Sequence, residues 1–536
     1  MHNLPIFQCL KIRKIDPDQL VYIFVNSDES DERVTLGNIF EQSNRMAHVL
    51  LKAGIGPGDT FTMIMRNYPE FLYALFGALS IGAIAVPVDP RSKGDKLAFQ
   101  INNTRSKALL ISDEFINSVR EIEGQIKDTR VAGVLYKAHH QTPVATDWPS
   151  LADEMAGASA GLPDKVVPFS KKNPVQIIHT SGTTGDPKGV VLKADRFRQY
   201  ALLDRLVWKY KNDDILYTGL SMTHGNAQSV TVLPALARTG FPSLGRKTIT
   251  AVISEKFTKS RIWDICRKYN CTTFSLLGGM MSGIFNEPPK DNDADNPVRR
   301  VISAGTPQAI WEDFEKRFGV QIHEWYAAIE GGLAHNPPWK KGPIGSFGKN
   351  PPFMRMKIVD ENDRETAPGE RGELVSKMII GPTQVNYFGK KKESSDKTRG
   401  GWLHSGDICH RDEKGFFYFD FRKGGGLRRQ GDFIQPDFVE RVVGEHETVS
   451  EACVYGIPAS SHAPGESDLV VAVTPFVGLT VDLDGVRELC REKLEANSLP
   501  SYFQLVDEIP KSSSEKYLSR LLKDAFSPDA ENVVPF

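Results

Sequence analysis

Short apolar, β-branched runs alternate with helical patterns along most of the chain, and this alternation constrains its fold more than any other feature. FTMIM at 61–65, ALLIS at 108–112, VQIIHT at 175–180 and VRRVISAG at 298–305 read as buried strands. Strands of that texture belong to sheets covered by helices, so the expectation is an α/β fold. The stretch 71–88 tests this reading, because it carries no charge and approaches the length of a membrane span. It contains Gly77, Ser80, Gly82 and Pro87 and ends in GAIAVPV. A buried helix, a glycine stop and a core strand account for it better than a span.

With 536 residues there is room for about two to four domains. The 66 basic and 67 acidic side chains leave a net charge of −1, which does not suit a polyelectrolyte partner such as duplex DNA, although a local basic patch stays open. Six cysteines without a C-x-x-C pair offer neither a disulfide framework nor a zinc knuckle. Reduced, buried thiols in a cytoplasmic protein are expected. The first residues lack the apolar core of a secretory signal and the terminal VVPF is no retention tag, in keeping with that compartment. The polar stretches 286–297 and 389–401 read as surface loops with solvated charges. Near 421–431, FRKGGGLRRQG changes the texture, and strand-like and helical runs follow it. The division expected is 1–421, a glycine-rich joint at 422–430, and a small α+β domain at 431–536.

The most informative segment is IHTSGTTGDPKG at 178–189, entered from an apolar run. Thr180, Ser181, Thr183 and Thr184 supply hydroxyls, while Gly182, Gly185 and Gly189 let backbone N–H groups approach an anion. Lys188 adds a point charge. Such a turn suits a polyphosphate, but it is not a Walker A loop, because G-x-x-x-x-G-K-[ST] does not occur.

TSGTTGDPKG resembles the signature of the AMP-forming acyl-CoA synthetases, within the adenylate-forming superfamily that includes luciferases and peptide-synthetase adenylation domains. Further stretches resemble the family's motifs in order. SAGTP at 303–307, with Gly305 and Thr306, is similar to the adenine-contacting loop. YAAIE at 326–330 resembles Y-G-x-T-E, which implies that Tyr326 stacks on adenine and Glu330, with Thr184, helps to hold Mg²⁺. GWLHSGD at 401–407 resembles G-W-x-x-T-G-D, implying that Asp407 accepts hydrogen bonds from the ribose hydroxyls. Arg422 lies where the family's ribose-binding arginine does, and His224 in SMTHGN matches a histidine beside the acyl site. IPKSSSEK at 509–516 is similar to L-P-x-T-x-x-G-K, making Lys516 the candidate catalytic lysine.

The resemblance implies a large N-terminal domain of stacked α/β subdomains with mixed sheets, and a small mobile α+β C-terminal domain. It also implies ATP, Mg²⁺ and coenzyme A: a carboxylate attacks ATP to give acyl-AMP and pyrophosphate, and the thiol of CoA then displaces AMP. Gly431 would line the pantetheine tunnel, while Arg428 and Arg429 are either contacts for CoA phosphates or surface charges. His224, Val230, 275–281 and Gly305 mark the region of the acyl pocket, and SLLGGMMSG would suit a bulky or adaptable acid. Two departures stand out. Glu515 replaces the glycine before the lysine, as in the branch resembling crotonobetaine/carnitine-CoA ligases, and Gly424 replaces the hinge aspartate. A carrier protein or amine as acceptor, or a non-catalytic nucleotide-binding relative, remains an alternative. No nucleic-acid or integral-membrane partner is expected, and a homo-oligomer stays open.

Overall fold

The computed structural model describes residues 1–12, 15–140, 144, 146–180, 187–238, 249–422, 427–429, 432–434, 436–459, 467–494, 498–512 and 515–536, with the backbone alone at 421, 422, 428, 429, 432 and 433. These residues form two units. The first comprises Met1–Leu276, Pro297–Ile302 and Gln384–Lys397, and the second Leu277–Asn296, Ser303–Thr383 and Thr398–Phe536.

In the first unit, the uncharged stretch resolves as expected. Pro69 occupies the first turn of the helix Pro69–Ile81, where its missing N–H costs nothing. Gly82, at φ 70°, closes the helix in the left-handed conformation, and the strand Ile84–Pro87 follows. The helix packs on Leu36–Lys52 so closely that a Cβ on Gly77 would lie 2.5 Å from the carbonyl oxygen of Ser43. Among the described residues, no helix is long and apolar enough to cross a membrane.

Ile84–Pro87 enters a sheet ordered Arg130–Leu135, Ala108–Ser112, Thr60–Ile64, Ile84–Pro87, Pro174–Thr180, Lys188–Lys193. All neighbours are parallel except the last pair. Ile64, Val86, Leu109, Ile111, Val134 and Ile177 build its core. A second run of strands, Thr273–Leu277, Ile215–Thr218, Thr250–Ser254 and Leu20–Val25, is parallel, with Asp31–Thr35 added antiparallel at its edge. Thr60–Ile64, Ile84–Pro87, Ala108–Ser112 and Pro174–Thr180 are the strands of the first sheet that the sequence shows as apolar runs.

The second unit is mainly antiparallel. Five strands run in the order Ser346–Gly348, Phe417–Arg422, Leu403–Arg411, Gly372–Met378, Met354–Val359. A hairpin joins Gln321–Ala328 to Gly331–His335. A four-stranded sheet follows, ordered Val449–Pro458, Ser467–Pro475, Tyr502–Leu505, Val533–Pro535. Its side chains alternate between two cores, as a period of two demands. Val454, Leu469, Val471 and Val473 pack with the helices Pro436–Val443 and Leu483–Lys493. Cys453, Tyr455, Val470 and Ala472 pack with Ile509 and Leu522.

All six cysteines are free and buried. Two expectations need correction. The stretch 389–401 contains a helix, Lys391–Lys397, none of whose residues is buried. Within 286–297, Asp293 is not a solvated charge: it is buried and accepts a hydrogen bond from Nε of Arg317 at 2.7 Å. A short segment with lysines and serines has no apolar stripe to announce a helix, and a long-range ion pair leaves no local pattern.

Candidate active site

The phosphate-binding segment expected from the sequence begins and ends on the antiparallel pair Pro174–Thr180 and Lys188–Lys193 in the first unit. Thr180 lies opposite Lys188 in register. Ser181, Gly182, Thr183, Thr184 and Gly185 lie outside the described residues. Gly189 faces Ile177 so closely that a Cβ would meet its Cγ2 at 2.7 Å. The Lys188 ammonium sits 5.4 Å from the ring centroid of Tyr387. Beside Thr180, burial and then Lys96 push the His179 imidazole down to about 4, so the strand end carries a neutral ring at pH 7.

His224 follows a tight turn in which its N–H donates to the Ser221 carbonyl at 3.1 Å. Asn67 braces this loop, accepting from the Met222 N–H at 2.8 Å and donating to the Leu220 carbonyl at 2.9 Å. A π-helical stretch, Ala227–Val232, comes next and buries Val230. Ser275 is also buried, but its hydroxyl donates to Thr218 at 2.9 Å, which gives it a structural partner.

In the second unit, the strand Gln321–Ala328 places Glu324 and Tyr326 on one face by its two-residue period. The Tyr326 hydroxyl donates to Asp407 Oδ2 at 2.5 Å, bringing together the two residues expected at adenine and ribose. Its ring also packs on Phe347, with centroids 4.9 Å apart. Asp407 is buried on Leu403–Arg411, paired in register with Arg422, whose side chain is not described. Ser405 accepts from the Asp407 N–H at 3.0 Å, and Glu373 accepts from the Gly406 N–H at 3.0 Å. These contacts fix the turn that orients the carboxylate; Gly406, at φ 80°, supplies the left-handed residue it needs.

Loop 303–307 is held by a residue that motif reading missed. Glu324 Oε1 accepts from the Gly305 N–H at 2.6 Å, and its other oxygen lies 2.5 Å from the Thr306 hydroxyl. The Thr306 N–H reaches the same carboxyl at 3.3 Å. Burial pushes Glu324 up to about 8 against the opposing effect of these hydrogen bonds. Gly305 itself is left-handed at φ 77°, and a Cβ on Gly278 would collide with its carbonyl oxygen at 1.8 Å. The available signal for Glu324 was its position two residues before Tyr326 on a strand.

Glu330 is half-buried in the turn after that strand. Lys516 is exposed and closes a turn: its N–H donates to Ser512 Oγ at 3.1 Å, and its carbonyl accepts from the Ser512 N–H at 2.7 Å. Glu515 adopts φ 57°, the conformation a glycine would take freely, so the glutamate carries about 1 kcal/mol of backbone strain there. Gly424 and Gly431 lie outside the described residues.

A family model described as AMP-binding enzyme matches residues 13–383. The chain belongs to the AMP-binding enzyme family. A second model, the AMP-binding enzyme C-terminal domain, matches residues 439–516 of this AMP-binding enzyme. The crotonobetaine/carnitine–CoA ligase of Citrobacter koseri is 26% identical over 509 residues, covering 94% of this chain and 95% of its own. That of Salmonella typhimurium is 27% identical over 511 residues, covering 94% and 96%. Among solved structures, a benzoate CoA ligase from Burkholderia xenovorans shares the fold with a TM-score of 0.80 at 18% identity, covering 97% of this chain and 99% of that one. An o-succinylbenzoate CoA synthetase from Bacillus subtilis, bound to its acyl-adenylate intermediate, gives 0.77 at 22% identity and 98% coverage of both chains. The resemblance read from the motifs agrees with these matches, as does the reading of an ATP-dependent acid:CoA ligase working through an acyl-adenylate.

Proposed function

We propose that this enzyme joins a carboxylic acid to the thiol of coenzyme A in two displacements. A carboxylate oxygen of the acid attacks the α-phosphorus of ATP, the bond to the β-phosphate bridging oxygen breaks, and pyrophosphate leaves. The CoA sulfur then attacks the acyl carbon, the bond to the AMP oxygen breaks, and the thiol proton passes to solvent. The observation that carries this reading is the pairing of Tyr326 with Asp407, which joins two motifs far apart in sequence. Loop 180–189 is assigned to the phosphates, loop 303–307 with Tyr326 to adenine, Asp407 and Arg422 to ribose, and Lys516 to the charge developing in the first displacement. Glu330 and Thr184 offer oxygen donors of the kind Mg²⁺ prefers, and that ion would neutralise phosphate charge when bound. His224 is placed beside the acyl group and Gly431 beside pantetheine, with 422–430 as the joint between 1–421 and 431–536.

The test is acid-dependent release of pyrophosphate across aliphatic, aromatic, steroid-like and betaine-type acids, with AMP turnover followed with and without CoA. One acid class giving both pyrophosphate and CoA-dependent AMP is the expected result. Pyrophosphate with no response to CoA would point to a carrier protein or amine as acceptor, and silence with ATP still bound to a non-catalytic relative.

Asp407→Ala is expected to raise the Kd for AMP about 10- to 100-fold, since hydrogen bonds to a charged group contribute about 1.5–3 kcal/mol. Calorimetric titration checks this, and unchanged affinity would remove Asp407 from the ribose site.

A further inference from the structure

Two adjacent histidines and a glutamate converge in the first unit, apart from every residue assigned above. His139, His140 and Glu255 each offer one ligand atom, and these atoms lie within 4.8 Å of one another. We propose that they form a binding site for a divalent transition-metal ion of the zinc type.

The donor set argues for this class of ion. Two imidazoles and one carboxylate suit zinc and its first-row neighbours, whereas Mg²⁺ and Ca²⁺ prefer oxygen alone. His139 Nε2 lies 3.1 Å from Glu255 Oε2, close to the edge of about 3.3 Å in a tetrahedron with bonds near 2.05 Å. The widest separation must close by roughly 1–1.5 Å, within reach of side-chain rotation.

The surroundings are those of a ligand set held from behind. Nδ1 of His140 pairs with Asp113 Oδ1 at 2.6 Å, the carboxylate–histidine arrangement that leaves Nε2 as the coordinating nitrogen. Glu255 is fixed by the Ser27 N–H, which donates to Oε2 at 2.8 Å. The side chains of His139 and Glu255 are only 5% and 4% exposed, so a bound ion would be shielded from competing water. Nε2 of His140 faces the Tyr68 hydroxyl at 3.1 Å, an oxygen that a bound ion would have to displace.

The charge balance has room for a dication. Glu255, Asp113 and Glu114 are gathered here, and Arg66 is the cation among them, 2.8 Å from Glu114 and 3.7 Å from Glu255. Lys137, over the Tyr68 ring, is engaged by Glu32 at 2.9 Å and Glu70 at 3.2 Å. The ion would fasten 137–140 to the end of strand Thr250–Ser254. The carbonyl of Glu255 accepts from the N–H of Asn67, which braces the His224 loop.

The test uses the full chain, stripped with chelator and free of nucleotide, titrated with Zn²⁺ by equilibrium dialysis and with Co²⁺ by visible absorption. One equivalent of Zn²⁺ and intense ligand-field bands with Co²⁺ are expected. His139→Gln and His140→Asn should each weaken binding at least tenfold, with folding checked by circular dichroism, while His48→Gln on the helix Leu36–Lys52 should not. No stoichiometric binding to the unmodified chain overturns the proposal whatever the variants do. Equal binding by the unmodified chain and the folded variants overturns it as well.

Discussion

Lys516→Ala is expected to lower acid-dependent pyrophosphate release by about 10²–10⁴-fold, a loss of about 3–5 kcal/mol of transition-state stabilisation. As the carboxylate attacks, negative charge grows on the α-phosphoryl oxygens and on the departing pyrophosphate. A cation held there interacts more strongly with the transition state than with bound ATP, so kcat falls more than KM rises. The Lys516 N–H donates to Ser512 Oγ and its carbonyl accepts from the Ser512 N–H. Because the lysine is exposed, its truncation should leave the thermal midpoint nearly unchanged. The decisive measurement supplies pre-formed acyl-adenylate. Thioester formation from it with CoA should stay within a few-fold of normal, because that step releases AMP without breaking a phosphoanhydride. Equal loss in both half-reactions would assign Lys516 to general binding or folding instead.

Elements whose physics is local were legible in the sequence. Gly82 and the uncharged run 71–81 before it define a helix and its stop, and strands such as Thr60–Ile64 and Ala108–Ser112 are visible because burial on both faces makes them apolar throughout. The motifs around Tyr326 and Asp407 were legible as separate resemblances, while their direct hydrogen bond depends on two sheets and could not be read from either segment. Glu515 shows the opposite case. It looks like a departure from a glycine pattern, and the backbone nevertheless keeps the left-handed turn that glycine would favour. What stayed hidden were side chains acting through others: Glu324 on loop 303–307, Glu373 on the Asp407 turn, and Arg317 on Asp293. Their partners lie 18 to 33 residues away, beyond the reach of helical or strand periodicity.

Glu324→Gln is expected to remove a pH-dependent part of the stability while keeping loop 303–307 in place. The carboxyl is fully buried and pushed up to about 8 from an ordinary value of 4.5, first by desolvation. A raised acid is stabilising in its neutral form: the contribution is complete below about pH 4.5 and is lost as pH rises toward 8, above which the curve flattens. Its slope approaches about 1.4 kcal/mol per pH unit within that window. In the neutral form Glu324 can donate its proton to the Thr306 hydroxyl, which passes a hydrogen bond to Ser303 Oγ at 2.8 Å, while Oε1 still accepts from Gly305. Glutamine preserves both roles, its amide donating where the acid did, so nucleotide affinity at pH 7 should change less than about threefold. Alanine preserves neither. It leaves the N–H groups of Gly305 and Thr306 without their acceptor, and should cost about 2–4 kcal/mol of stability and raise KM for ATP at least tenfold. Denaturant unfolding from pH 5 to 9 separates the cases: Glu324→Gln should lose its share of the slope below pH 8, leaving that of Glu440, which burial also pushes up to about 8. Parallel profiles for the two proteins would mean that Glu324 is already ionised across this range, with the three hydrogen bonds outweighing its burial.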